Sequence, residues 1–171
     1  MAYPFLKARG LEVGKSLCSE EDVALAKNLL NQDKGGKIQL PIDHVVASTL
    51  NSSAETTPDT KIPTDKMGLD IGPQTIQKYS DHLIGAKTIF WNGPMGLFEN
   101  KTFALGTMKI AEIIAHTKSF SVVGGGDSVS AVQKSGFAEK FTHVSTGGGA
   151  SLELIEKGDL PGIIALKLGV N

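Results

Sequence analysis

Apolar runs of strand length alternate with amphipathic stretches along this 171-residue chain, and that alternation predicts its elements. Residues 19–32, SEEDVALAKNLLNQ, open on a serine cap with early acids, then place Val23, Ala26, Leu29 and Leu30 on one helical face. Residues 37–48, KIQLPIDHVVAS, are apolar and β-branched, a strand in which Pro41 demands an irregularity or an edge position. The polar, turn-rich residues 50–66 read as a surface loop rather than an interdomain linker. In MGLDIGPQTIQKY, Gly72 and Pro73 precede a helical stretch, and Pro73 suits its first turn. KTIFWNG (87–93) predicts a strand ending in a turn. Residues 99–117 predict a helix with Phe103, Met108, Ala111 and Ile114 on its apolar face. The order strand, glycine turn, short helix then occurs twice: SFSVVGGG with DSVSAVQKSG, and THVSTGGG with ASLELIEKG, the last closed by Gly158. Strands separated by helices imply right-handed crossovers and an α/β fold with a mostly parallel sheet. Ligands of such sheets gather at the carboxyl ends of the strands. Three of those ends carry unusual chemistry here: WNGP, GGGDS and STGGG.

Composition narrows the function without naming it. With 40% hydrophobic and 20% charged residues, the chain has material for one domain with a real core. A formal net charge of −1 argues against a nucleic acid or an anionic membrane as partner, since either needs a basic surface. Cys18 is the single cysteine, so no internal disulfide forms; a structural thiol in a reducing compartment is expected. No apolar run approaches the roughly 20 residues of a membrane span, and MAYPFLKARG has no signal-peptide pattern. The expected location is the cytoplasm. His44, His82, His116 and His143 lack metal-ligand spacing and read as surface or capping residues.

The glycine turns hold the chemistry. The dinucleotide pattern G-x-G-x-x-G fails at both, because its last glycine falls on Val129 in one and Leu152 in the other. The P-loop fails as well: Gly14–Ser16 spell GKS, but Arg9 occupies the required first glycine. The general mechanism survives both failures. Free N–H groups at a helix start, with glycines permitting close approach, attract an anion. Two such turns, at Gly124–Gly126 and Gly147–Gly149, suit different oxygens of one polyphosphate. Asp127 is either a helix cap or a carboxylate that tolerates the anion through an intervening hard cation such as Mg²⁺.

MAYPFLKARG, MGLDIGPQT, FWNGPMGLFE, VVGGGDS and HVSTGGGASLELIEKGDLPGI, in this order and spacing, closely resemble the C-terminal, nucleotide-binding domain of the phosphoglycerate kinase family. The likeness runs over residues 1–171 and implies a three-layer, Rossmann-like α/β domain that lacks its leading strands and the N-terminal domain. It implies that Gly125, Gly126, Asp127 and Ser128 hold nucleotide phosphate and Mg²⁺, with Asp127 bearing the metal. Thr is usual in the family at Ser128, so the hydroxyl is kept. Glu99 matches the acid that binds ribose, Pro94 and Leu97 the apolar wall against adenine, and Gly68 a further adenosine contact. Asn92 resembles a donor near the phosphates; Gly125, Gly148 and Gly149 resemble the catalytic glycines that stabilise the transferring phosphoryl group. Phe90 and Trp91 read as core. The implied activity is phosphoryl transfer to or from a carboxyl group: 1,3-bisphosphoglycerate and ADP exchange with 3-phosphoglycerate and ATP. The full-length enzyme is expected to be monomeric. The family's Gly-Gly-Ala-Lys segment and basic phosphoglycerate patch do not occur in this sequence. The 171-residue chain alone is therefore expected to be inactive, and a catalytically inactive nucleotide-binding or structural piece is the alternative reading.

Overall fold

The computed structural model describes residues 1–169. In chain order the elements are α1 (Ala2–Ala8), α2 (Glu20–Gln32), β1 (His44–Ala47), β2 (Glu55–Thr56), β3 (Met67–Ile71), α3 (Pro73–Ile84), β4 (Thr88–Asn92), α4 (Leu105–His116), β5 (Phe120–Gly124), α5 (Gly126–Ser135), β6 (His143–Ser145), α6 (Gly148–Lys157) and α7 (Pro161–Leu168). The chain forms two compact units. The first joins Met1–His82 to Met95–Ile110; the second joins Leu83–Pro94 to the residues from Ala111 on.

In the first unit β1 is central, flanked by β2 and β3, and antiparallel to both. A register shift between Val45 and Val46 breaks its ladder with β3. Several polar groups around this sheet are buried and paired. Asp43 is fully buried, and its carboxylate accepts the N–H groups of Gln74 at 2.9 Å and Thr75 at 2.7 Å. Those are orphan donors in the first turn of α3, which opens on Pro73 as expected. Thr75 Oγ1 donates to the same carboxylate at 2.6 Å and accepts from the backbone of Ile42 and Asp43. A carboxylate from the residue just before β1 thus caps the helix. The start of α2 is equally legible, with Ser19 accepting the Asp22 N–H at 3.0 Å. Of the apolar face expected on α2, Ala26 is buried, Val23 and Leu30 are half-buried, and Leu29 is exposed. Leu6, Val13 and Leu40 form a core cluster, with the partly buried Cys18 packed on it as a structural thiol.

In the second unit β4, β5 and β6 run parallel in that order. Val123, Ala131 and Val132 are fully buried between β5 and α5, and Trp91 packs near Phe141 at a ring separation of 6.1 Å. Trp91 is core, as its pattern predicts.

The α/β class and the parallel sheet stand, but the strands of the first unit depart from the expected parallel arrangement. They follow one another through loops without crossover helices, which permits antiparallel pairing. The strand expected over 37–48 is confined to His44–Ala47, because Pro41 cannot donate to a ladder. The surface loop expected over 50–66 contains β2, a buried Thr57 and a fully buried Ile62 bridged to Val13. The helix expected over 99–117 begins at Leu105, after a 3₁₀ turn at Lys101–Phe103. His44 corrects the reading of all four histidines as surface or capping residues. It opens β1, pairs with Ile71 and is 1% exposed. Its Nε2 has no hydrogen-bond partner, and burial depresses its basicity, against the weaker opposing pull of Asp43 and the Thr60 backbone. The remaining three are exposed, and His116 bonds the Glu112 carbonyl at the end of α4.

Candidate functional site

The three strand ends singled out in the sequence are brought side by side. Asn92 pairs with Gly124, and Gly124 pairs with Ser145, so β4, β5 and β6 finish level. Beyond β5 the chain turns at Gly125 with φ of +97°, a conformation that L side chains rarely adopt. The Gly125 N–H donates to Ser145 at 3.2 Å, and Asn92 Nδ2 donates to the Gly124 carbonyl at 3.0 Å. Gly148, the first residue of α6, lies so close that a Cβ there would strike the Gly125 backbone and come within 3.1 Å of Asn92 Nδ2. The starts of α5 and α6 therefore touch, and only glycines allow it.

Neither helix has a side-chain cap. Their first-turn N–H groups lack intrahelical acceptors, and each start carries the positive end of a helix dipole. Gly126 and Gly149 are exposed with open space at their Cα atoms. Asp127 lies in the first turn of α5, is exposed, and makes no hydrogen bond or ion pair with another described residue. The cap position belongs to Gly125, so the capping alternative for Asp127 is excluded. Ser128 is buried instead: its Oγ accepts the Gly93 N–H at 2.6 Å and ties the WNGP turn to α5. A hydroxyl that accepts one bond can still donate its hydrogen to another group. Pro94 follows that turn, half-buried.

The expected adenosine contacts Gly68, Leu97 and Glu99 belong to the first unit. Gly68 is buried in β3, donates to Ser16 Oγ at 2.9 Å, and has no room for a side chain beside Tyr3. Leu97 is half-buried and donates its N–H to Leu69 at 2.8 Å; Glu99 is exposed two residues on. Buried polar residues that sequence reasoning passed over hold this segment. Thr107 Oγ1 accepts from the Met95 and Gly96 N–H groups, and Asp70 accepts from Gly106. Burial pushes the Asp70 carboxyl up to about 6, although the Gly106 and Ile71 N–H groups pull the other way. The Tyr3 phenol is pushed up to about 12 by burial and then by the charge of Asp70. A carboxylate between Leu69 and Ile71 in a strand was the available signal for Asp70; Thr107 offered none.

Among the described residues no group of three or more His, Cys, Asp or Glu is placed to hold a metal. Asp127 alone makes no cage. Mg²⁺, however, keeps several waters and binds through one or two carboxylates plus substrate phosphates. A single exposed carboxylate at an anion-attracting helix start fits a cation that arrives with a nucleotide. No helix among the described residues is long and apolar enough to cross a membrane.

Known proteins resemble this arrangement closely. The family model described as phosphoglycerate kinase matches residues 1–158. The phosphoglycerate kinase of Clostridium novyi (strain NT) is 51% identical over 170 residues, covering 97% of this chain and 43% of that protein. That of Anaeromyxobacter sp. (strain Fw109-5) is 50% identical over 171 residues, again covering 43% of the relative. Among solved structures, phosphoglycerate kinase from Coxiella burnetii superposes with a TM-score of 0.84 at 37% identity, over 91% of this chain and 41% of that one. The enzyme from Pyrococcus horikoshii OT3 gives 0.77 at 32% identity, over 97% and 43%. The chain thus spans less than half the length of the relatives it matches. With the family model covering nearly all of its residues and half of its positions identical to those relatives, the chain belongs to the phosphoglycerate kinase family.

Proposed function

We propose that this chain is the nucleotide-binding part of a cytoplasmic phosphoglycerate kinase, which moves a phosphoryl group between 1,3-bisphosphoglycerate and ADP to give 3-phosphoglycerate and ATP. The observation that carries the reading is the pair of uncapped, glycine-started helices meeting at Gly125 and Gly148, with the carboxylate of Asp127 left unused in the first turn of α5. In this reading the N–H groups at Gly126 and Gly149 receive phosphate oxygens, and Asn92 adds a side-chain donor; Gly125 and Gly148, whose own N–H groups bond Ser145 and Thr146, let the two helix starts close around the transferring group. Asp127 holds Mg²⁺, which when bound neutralises phosphate charge. Ser128 fixes the turn after β4 and offers its hydroxyl hydrogen to a phosphate oxygen. Gly68, Pro94 and Leu97 serve the adenosine and Glu99 the ribose.

Phosphoryl transfer spreads negative charge over three equatorial oxygens, so catalysis is mostly positioning and electrostatic stabilisation. Fixed backbone N–H groups supply that without a covalent nucleophile. They are already oriented and need no reorganisation as charge develops.

Calorimetric titration with Mg-ADP tests the reading. The chain is expected to bind, and Asp127→Ala to weaken binding by about a hundredfold or more, since even outer partners of a metal are worth about 10–100-fold. Absence of Mg-ADP binding overturns it and leaves a purely structural piece. The purified 171-residue chain is expected not to turn over 3-phosphoglycerate, and measurable turnover refutes that expectation.

A further inference from the structure

The segment from Met95 to Thr107 is tied down by buried groups that take no part in the phosphate-binding turns. Asp70 is 1% exposed on β3. Its Oδ2 accepts the Gly106 N–H at 2.7 Å, in the first turn of α4, and its Oδ1 accepts the Ile71 N–H at 2.9 Å. Gly96 and Gly106 lie so close to the carboxylate that a Cβ at either would collide with it. Thr107, fully buried, accepts from Met95 at 3.0 Å and Gly96 at 3.2 Å. The Leu97 N–H reaches back to the Leu69 carbonyl on β3. Leu97 and Glu99 are carried between these anchors.

We propose that Asp70 is a positioning residue for adenosine recognition, fixing through Gly96 and Gly106 the loop that presents Leu97 and Glu99. The inference rests on the nucleotide-binding reading above. A carboxylate suits the task because both of its oxygens accept; an asparagine has one acceptor, and its amide would point hydrogens at a backbone N–H. Burying a charge is unfavourable for stability, so holding one here makes sense where geometry is the gain. From α1 Asp70 is faced by Tyr3, whose phenol senses its charge, and His44 of β1 packs against that same ring at 6.0 Å. From α4 comes the Gly106 N–H.

Adenosine and Mg-tripolyphosphate, titrated separately into the 171-residue chain, test the proposal. Asp70→Asn is expected to weaken adenosine about tenfold, the difference between bonds to a charged and a neutral acceptor. Mg-tripolyphosphate binding is expected to stay within about twofold, as for independent sites. Wild-type adenosine affinity is expected to fall as pH drops through about 6, where Asp70 takes a proton, and to be flat in Asp70→Asn. A merely structural role would not produce that profile. Thr107→Val, which frees the Met95 and Gly96 N–H groups, is expected to show the same selective loss. If Asp70→Asn does not fold, Thr107→Val and the wild-type pH profile decide. Unchanged adenosine binding in Asp70→Asn, or equal loss of both probes, overturns the positioning role alone. A wild-type chain that binds neither probe overturns the nucleotide reading and this proposal with it.

Discussion

The two units differ at their helix starts. In the first, buried side chains consume the backbone donors: Asp43 and Thr75 cap α3, Asp70 and Thr107 hold the segment before α4, and Thr57 Oγ1 takes the His44 N–H. In the second, α5 and α6 begin without any side-chain cap, and the carboxylate in the first turn of α5 bonds nothing among the described residues. Satisfied donors make a rigid support. Unsatisfied, outward-facing donors make a place for a ligand. The same helix-start physics thus serves folding in one unit and, in the proposed reading, recognition in the other.

The largest effect that sharpens this contrast is at Asp43. Asp43→Ala strands two N–H groups and the Thr75 hydroxyl in a buried place, and is expected to lower stability by about 3–5 kcal/mol in chemical denaturation. Asp127→Ala, exposed and unbonded, is expected to change stability by less than about 1 kcal/mol while removing nucleotide binding. If the two substitutions destabilise equally, the contrast collapses. Next comes Gly148→Ala, whose methyl must displace the Gly125 backbone; a cost of about 1–3 kcal/mol is expected, with loss of Mg-ADP binding. Wild-type stability with intact nucleotide binding would show that α5 and α6 need not touch.

A pH series tests the buried half further, because two titratable groups there oppose each other. Burial depresses the folded-state basicity of His44, so the unfolded chain binds more protons. The contribution of His44 is present above about 6.5 and lost as pH falls below it. Asp70 is raised in the folded state to about 6, so its contribution is present below its unfolded value of 3.8 and lost as pH rises through 6. His44→Phe is expected to flatten the acid-side decline, and Asp70→Asn to remove the loss near pH 6. A curve unchanged by both substitutions rejects the assignment. The smallest effect is at Ser19, where Ser19→Ala is expected to cost about 1 kcal/mol through the lost cap of α2.

Local devices were readable directly. The Ser19 cap, the Pro73 helix start and the closing Gly158 are set by residues within one turn of one another. The convergence of WNGP, GGGDS and STGGG was readable too, because strands joined by crossover helices run parallel and finish at the same end. Asp70 and His44 were not, since each is explained by partners brought from elsewhere in the chain: Gly106 lies 36 residues from Asp70, and His44 is buried by its place at the start of β1. The antiparallel pairing of β1 was hidden as well, because alternation of apolar residues is the same in either direction.

The family, the α/β class and the glycine-started helices at the ends of β5 and β6 were legible from residue identity and short spacing alone. Only the folded arrangement shows that Gly125 and Gly148 touch, that Asp127 bonds nothing among the described residues while Ser128 accepts from Gly93, and that a buried carboxylate anchors the loop bearing Leu97 and Glu99. Contact, burial and the supply of hydrogen-bond partners are properties of the folded arrangement, and no local pattern of residues fixes them.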